Sequence, residues 1–207
     1  KEWQLPSAVT FYESPVNIAH CKFMNSLSED AINVFQSAFI FENSIISNSF
    51  SDAFDSDFSS GVIKNCRFMN SGNDGVDASG SDVQVKNCEF INTEDKALSA
   101  GEKSTVLAEN LTIKFCSQVF TAKDLSTIEV KNTTVEEAEV VYLAFQKKAI
   151  YGPGKIISQG VATKNFKEFA LIEKESSLII EGKKQHNYTD NVKKYLYGKE
   201  YGKRTVK

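Results

Sequence analysis

The chain has 207 residues, of which 41% are hydrophobic and 25% charged, and its formal net charge at pH 7 is −3. This balance is typical of a folded globular domain and excludes an intrinsically disordered chain. No run of about 18 apolar residues is present, so a membrane-spanning helix is not expected. Residues 26–77 carry eight acidic against two basic side chains, whereas residues 183–207 carry eight basic against two acidic. The basic end has no nucleic-acid-binding motif, so no nucleic-acid partner is expected.

A repeat of 22 residues organises the chain and is clearest between Asp52 and Lys96. The segment DAFDSDFSSGVIKNCRFMNSGN aligns without gaps on the segment that follows it, DGVDASGSDVQVKNCEFINTED. Within each unit, apolar and polar residues alternate at strand spacing, and turn-forming residues separate three short strands. Such a unit has no room for a helix and cannot bury its own apolar face. The sequence therefore predicts an all-β solenoid in which each repeat is one rung of a parallel β-helix.

The predicted organisation in chain order has three parts. Residues 1–7 form an N-terminal extension, residues 8–182 form the β-helix of seven to eight rungs, and residues 183–207 form a basic C-terminal cap. After residue 141 the repeat blurs, but VVYLAF, AIYGPGKII, FALIE and SSLIIEG are still predicted as strands. Val192, Tyr195 and Leu196 follow a capping Thr189 and share one face of a predicted helix. Because a β-helix has open strand edges at its ends, we expect this segment to cover the last rung.

Two columns of asparagine and one of cysteine mark equivalent positions of successive rungs. Asparagine accepts the left-handed backbone that a tight bend requires, and its amide can bond to the same residue of the next rung. Both columns are therefore interpreted as structural. The stacked cysteines are close enough for a disulfide, but buried free thiols are the favoured interpretation. The first asparagine column is Asn43, Asn65, Asn87, Asn110 and Asn132, with His20 in the first rung; the second is Asn25, Asn48, Asn70 and Asn92; the cysteines are Cys21, Cys66 and Cys88, with Cys116 outside their column.

The pattern over about residues 8–180 resembles right-handed parallel β-helix proteins of the pectin-lyase-like superfamily. The resemblance implies a right-handed coil whose first sheet carries a polysaccharide groove. Asn73-Asp74-Gly75 followed by Glu94-Asp95 is similar to the N-x-D motif and paired aspartates of polygalacturonases. Their G-H-G and R-I-K motifs have no counterpart here. Pectate lyases use an arginine or lysine base beside bound calcium, and no arginine lies in the matching region. Similar arrays also occur as accessory domains of large bacterial surface proteins.

An acidic face on the first sheet is the strongest candidate site. If Val76 and Ala78 point inward, then Asp77 points outward, and the same parity turns Asp55 and Asp57 outward from the neighbouring strand. Three carboxylates this close require a compensating cation or hydrogen-bond donor. Calcium is the predicted cofactor, with Asp55, Asp57 and Asp77 as its ligands; acid–base catalysis on a glycosidic bond and a solvated acidic face remain open as alternatives.

Further residues are candidates for substrate binding or catalysis at the same sheet. Lys96 interrupts a column of aspartates and is interpreted mainly as neutralising Asp74, and alternatively as a base. Exposed aromatic residues of the first sheet are candidates for stacking on sugar rings, and packing beneath a long loop or against a neighbouring domain is the open alternative. The substrate-binding candidates are Tyr12, Asn33, Phe35, Ser79 and Ser99, and the catalytic candidates are Asp55, Asp77, Asp74, Asp95 and Lys96.

Three functions are compatible with these patterns. A secreted or cell-surface domain that binds polysaccharide as an accessory module of a larger protein is the leading expectation. A polysaccharide lyase or glycoside hydrolase is the second, and a structural spacer or adhesin segment is the third. The incomplete set of catalytic motifs disfavours an enzyme, and a monomer joined to neighbouring domains is expected.

Overall fold

The computed structural model describes residues 6–196 of the chain. It is a right-handed parallel β-helix of about eight turns, with about 22 residues per turn and 3% helix, which confirms the predicted fold class. The 18 strands form one coiled sheet, in which β1 to β17 pair in parallel with their counterparts one rung away. The strands are β1 (Ser7–Tyr12), β2 (Val16–Ala19), β3 (Lys22–Met24), β4 (Asp30–Phe35), β5 (Ala38–Glu42), β6 (Ile45–Ser49), β7 (Asp52–Asp57), β8 (Ser60–Lys64), β9 (Arg67–Ser71), β10 (Val76–Ser79), β11 (Asp82–Lys86), β12 (Glu89–Gly101), β13 (Thr105–Glu109), β14 (Thr112–Lys123), β15 (Thr127–Phe145), β16 (Lys155–Ile172), β17 (Ser177–Ile180) and β18 (Lys183–Lys184), and the helix is α1 (Val192–Leu196).

Each rung has three faces, which we name by the strands of the first rung. The first sheet contains β1, β4, β7, β10 and the last residues of β12, β14, β15 and β16. The second sheet begins with β2 and the third with β3. Inward side chains of all three sheets stack into one core, in which the rings of Phe68 and Phe90 lie parallel at 4.8 Å. Stacking of like residues follows from the repeat, because in-register parallel rungs place equivalent positions directly above one another.

The predicted asparagine ladders are present. The amide of Asn65 donates to the side-chain oxygen of Asn43 at 3.2 Å, and the amide of Asn70 donates to that of Asn48 at 2.8 Å. All the predicted ladder positions have a positive φ, including His20 at 56°. The four cysteines are free, as favoured.

A second ladder, of buried serines, was not recognised in the sequence. The backbone N–H of Ser37 donates to the hydroxyl of Ser59, and the N–H of Ser59 donates to that of Ser81. Ser104 and Ser126 continue the column. These hydroxyls satisfy backbone groups at a corner where the rung turns between sheets, so the column is structural.

The C-terminal rungs depart from the repeat in two ways. Thr127 pairs with Lys155, and hydrogen bonds across this junction span 28 residues, because residues 149–154 form a loop rather than the predicted strand. The helix α1 buries Val192 and Leu196 against Leu143 and Phe145, on the outer face of the first sheet. The helical part of the predicted cap therefore lies beside the coil and does not cover the last rung, and residues 197–207 of that prediction are outside the described residues.

Two further features complete the fold. The antiparallel strand β18 pairs with β17 and covers part of the edge of the last rung. Across residues 6–196, no helix combines the length and apolar character needed to cross a bilayer.

Candidate functional site

The predicted acidic face is assembled by the in-register pairing of the first sheet. Asn33 of β4 lies opposite Asp55 of β7, which in turn lies opposite Asp77 of β10. Two residues further along the same strands, Phe35 lies opposite Asp57, and Asp57 lies opposite Ser79. Adjacent strands are about 4.8 Å apart, so these side chains are direct neighbours. The structure thus brings together the residues that the sequence assigned to this face.

Hydrogen-bond donors and a cation already face the three carboxylates. The amide nitrogen of Asn33 lies 2.9 Å from an oxygen of Asp57 and 3.3 Å from an oxygen of Asp55. The ammonium of Lys123, two rungs from Asp77, lies 3.6 Å from an oxygen of that carboxylate and donates to the hydroxyl of Ser99 at 2.7 Å. Part of the compensation that the sequence requires is therefore supplied by the chain itself.

The pKa values of the Asp55 and Asp77 carboxyl groups are shifted in opposite directions. Burial, and then the negative charges of Asp77 and Asp57, raise the pKa of Asp55 to about 9. Burial also tends to raise the pKa of Asp77, but the ammonium groups of Lys123 and Lys96 outweigh it and hold that pKa below its usual value. At neutral pH, Asp55 is therefore a neutral carboxylic acid beside an ionised Asp77.

These surroundings bear directly on the predicted calcium site. Among residues 6–196, no group of three or more His, Cys, Asp or Glu side chains is arranged to hold a metal ion. The amide of Asn33 and the ammonium of Lys123 point positive hydrogens at Asp55, Asp57 and Asp77, which are positions that a calcium ion would need for itself. This donor set fits hydrogen bonding better than metal ligation. Calcium binding remains an untested expectation of the sequence, and the observed contacts argue against it.

The predicted binding residues differ in how far their side chains are exposed to solvent. Tyr12 is 48% exposed, and Phe35 and Ser79 are partly buried. Asn33 and Ser99 are only 7% and 1% exposed, and both are engaged by the contacts described above. In this conformation Asn33 and Ser99 position their neighbours rather than face solvent.

The other catalytic candidates form a buried ion-pair cluster. The ammonium of Lys96 lies 3.2 Å from an oxygen of Asp74 and 2.5 Å from an oxygen of Asp95. Gln118 donates to the second oxygen of Asp95 at 2.7 Å. Burial raises the pKa of Asp74 to about 7, although Lys96 opposes the shift. The interpretation of Lys96 as the group that neutralises Asp74 is confirmed, and this cluster has no open face toward a substrate.

Sequence reasoning missed one aromatic residue beside the acidic face. Phe58 follows Asp57 at a bend with φ 48°, is 54% exposed, and its ring centre lies 5.8 Å from that of Phe35. The rings of Phe35 and Tyr12 stack at 5.5 Å. We call Tyr12, Phe35 and Phe58 the aromatic row. Aligning the bend positions Glu13, Gln36, Phe58 and Gly80 would have revealed the exposed ring, because a phenylalanine is unusual at a left-handed bend.

Known proteins provide a family and several distant structural relatives. The description "Right handed beta helix region" belongs to the family whose profile matches residues 7–187. Among curated protein sequences, none matches significantly. A GH87 alpha-1,3-glucanase catalytic domain in complex with nigerose is 12% identical, with a TM-score of 0.31 and coverage of 87% of this chain and 47% of the other. The chain therefore spans about half the length of that domain.

A second solved structure of a GH87 alpha-1,3-glucanase catalytic domain, in complex with tetrasaccharides, is 14% identical and has a TM-score of 0.28 over 88% of this chain and 48% of the other. HetL, a pentapeptide repeat protein from the cyanobacterium Nostoc, is 8% identical with a TM-score of 0.24 over 87% of this chain and 92% of its own. The family assignment depends on the profile match, which covers most of the sequence and agrees with the observed coil. This chain belongs to the right-handed β-helix family.

Proposed function

We propose that this domain binds a polysaccharide along the outer face of its first sheet. The observation that carries the proposal is the aromatic row, three neighbouring rings beside a cluster of hydrogen-bonding groups. Tyr12 and Phe58 are about half exposed and flank the partly buried Phe35. Exposed aromatic surface on a regular sheet suits packing against the apolar face of a sugar ring, since it buries area without a large loss of side-chain entropy.

Polar groups next to the row supply the directional contacts that a sugar requires. Asp57 and Ser79 lie in the same column as Phe35, and both are partly exposed. A neutral Asp55 is able to donate a hydrogen bond, whereas Asp57 and Asp77 accept. A face that combines donors, acceptors and stacking rings matches a polyhydroxylated ligand better than an apolar one.

Binding is tested with a panel of immobilised neutral and uronic-acid polysaccharides, followed by isothermal titration against the best ligand. Phe35→Ala and Phe58→Ala are expected to weaken binding about tenfold each, the order of one stacking contact. Leu27→Ala, which removes an 86% exposed side chain outside the first sheet, serves as the control. Unchanged affinity in both aromatic variants would contradict the proposal.

A second candidate, hydrolysis of a glycosidic bond, is favoured by one specific observation. Asp55 and Asp77 lie on adjacent strands and have opposite pKa shifts, the arrangement expected of a general acid and a base or nucleophile. Reducing ends and the absorbance of unsaturated uronate ends, followed over the same panel, distinguish hydrolase, lyase and binder. We expect binding without turnover. Turnover that is lost in Asp77→Asn would replace the binding proposal by the enzymatic one.

Location outside the cell and attachment to a larger protein remain parts of the proposal. Both follow from the role of a polysaccharide-binding module. The spacer or adhesin alternative predicts no saccharide affinity at the aromatic row.

A further inference from the structure

A second concave surface runs along the coil on the third sheet, at the corner where its strands bend toward the first. It consists of two adjoining hollows of about 560 and 520 Å³, which share Asn92 and Glu94. We call this surface the corner groove. It has no residue in common with the aromatic row or the acidic face, so it is a separate candidate site.

Three exposed aromatic side chains line the corner groove. Phe50 is 56% exposed, Phe115 is 55% exposed and Phe166 is 40% exposed. Phe115 occupies the column of the second asparagine ladder, one rung after Asn92, and has the same left-handed backbone with φ 55°. Asparagine would accept this conformation at lower cost and would extend the ladder. The chain instead places an aromatic ring at the centre of the groove.

The asparagine ladder ends where the ring of Phe115 begins. The amide of Asn92 donates to the oxygen of Asn70 at 2.9 Å, continuing the series of amide bonds from the preceding rungs. Phenylalanine has no donor for the next bond, and within residues 6–196 no group donates to the side-chain oxygen of Asn92. That oxygen is an acceptor on the wall of the groove, next to the ring.

The charged groups of the corner groove are largely engaged with one another. Glu137 accepts a hydrogen bond from the amide of Asn165 at 2.7 Å, and Glu139 forms an ion pair with Lys167 at 2.6 Å. Carboxylates that already have partners offer little to a cationic ligand, since a new cation would have to displace them. Glu94, which lines both hollows, is exposed and is the carboxylate left to accept hydrogen bonds from a ligand. Rings, amide oxygens and carboxylates that are mostly paired favour a neutral, hydroxyl-rich ligand.

We propose that the corner groove binds a linear neutral oligosaccharide that lies along the coil axis. One sugar ring stacks on Phe115, another lies against Phe50, and Asn92 and Glu94 accept hydrogen bonds from hydroxyl groups between them. Phe50 and Phe115 belong to rungs three repeats apart, which corresponds to about 14 Å along the axis. An extended chain of a few sugar rings spans that distance. This inference is independent of the function proposed for the first sheet.

The two sites are tested separately by titration with cellohexaose, laminarihexaose, maltohexaose and mannohexaose. Phe115→Asn, which restores the ladder residue, is expected to reduce affinity for the preferred hexasaccharide at least about tenfold without lowering the melting temperature. Phe50→Ala is expected to weaken binding in the same direction. The double variant Phe35→Ala/Phe58→Ala leaves the corner groove intact and is expected to keep groove binding.

Three outcomes would overturn the inference. These are wild-type affinity for Phe115→Asn and Phe50→Ala, loss of all hexasaccharide binding in the Phe35→Ala/Phe58→Ala variant, and no binding of any of the four hexasaccharides by the wild type. Each leaves the first-sheet proposal standing if the broader polysaccharide panel gives binding that depends on Phe35. Conversely, hexasaccharide binding that depends on Phe115 and Phe50 but not on Phe35 or Phe58 supports the groove.

Discussion

Replacing Asp55 by asparagine is expected to stabilise the protein at neutral and alkaline pH. An aspartate of the unfolded chain loses its proton near pH 4, whereas the folded protein raises the pKa of Asp55 to about 9 through burial and through the charges of Asp77 and Asp57. Between these values the folded state binds one more proton at this position than the unfolded state. The contribution of Asp55 to the free energy of unfolding therefore falls as pH rises, and stops falling above the folded pKa.

The magnitude follows from the linkage relation. The contribution falls by about 1.36 kcal/mol per pH unit, which amounts to as much as about 4 kcal/mol between pH 4 and pH 7. An asparagine side chain carries no such proton. It can still accept the hydrogen bond that Asn33 donates to Asp55 at 3.3 Å. We therefore expect the free energy of unfolding of Asp55→Asn to equal that of the wild type near pH 4 and to exceed it by a few kcal/mol near pH 8.

Urea unfolding followed by far-ultraviolet circular dichroism, repeated across this pH range, measures the difference between the variant and the wild type. Asp82→Asn, at an exposed position at the start of β11, is the matched control and is expected to show no growing difference. A difference between Asp55→Asn and the wild type that stays constant with pH, or a variant that is less stable throughout, would refute the reasoning about Asp55.

Three further predictions follow from the packing of charged and turn residues. Lys96→Met leaves Asp74 and Asp95 buried without their cation and is expected to lower the free energy of unfolding by about 3–5 kcal/mol. The control Lys64→Met breaks a partly exposed pair with Glu42 and should lower it by less than about 1 kcal/mol. Equal losses in thermal or urea unfolding would argue against the buried cluster. Millimolar calcium is expected to leave the melting temperature unchanged, because donors already face the acidic carboxylates; an increase that a chelator reverses would establish the calcium site instead. Gly72→Ala is expected to destabilise the corner of its rung, because an added methyl group would overlap the carbonyl oxygen of Phe50, and an unchanged melting curve would count against this placement of the backbone.

The repeat made most of the fold predictable. A parallel rung places each residue against its equivalent one repeat away, so a period of 22 residues is enough to predict the pairing of Asn33, Asp55 and Asp77. The same reasoning predicted the asparagine ladders, because a left-handed bend favours asparagine at any rung. The ion pair of Lys96 with Asp74 was predictable for the same reason, since the two residues occupy one column.

Some side-chain contacts of the first sheet are not specified by the repeat and depend on the tertiary structure. Lys123 reaches Asp77 across two rungs through a long side chain, which periodicity does not specify. The hydrogen bonds of Asn33 depend on its side-chain conformation, and the burial of Ser99 depends on its local packing. Because of these contacts, hydrogen-bond donors of the chain itself face the carboxylates of the acidic face.

The sequence by itself determined the coil, its register and the residues that share each outer column, because these follow from local alternation and a fixed period. Only the tertiary structure showed which outer columns are covered, since the helix α1 packs on Leu143 and Phe145 after the chain folds back from the last rung. It also revealed the corner groove. The concavity at Asn92 and Phe115 arises from a bend repeated over several rungs. The sequence shows which residue lies at each bend, but it does not show in which direction the chain turns there.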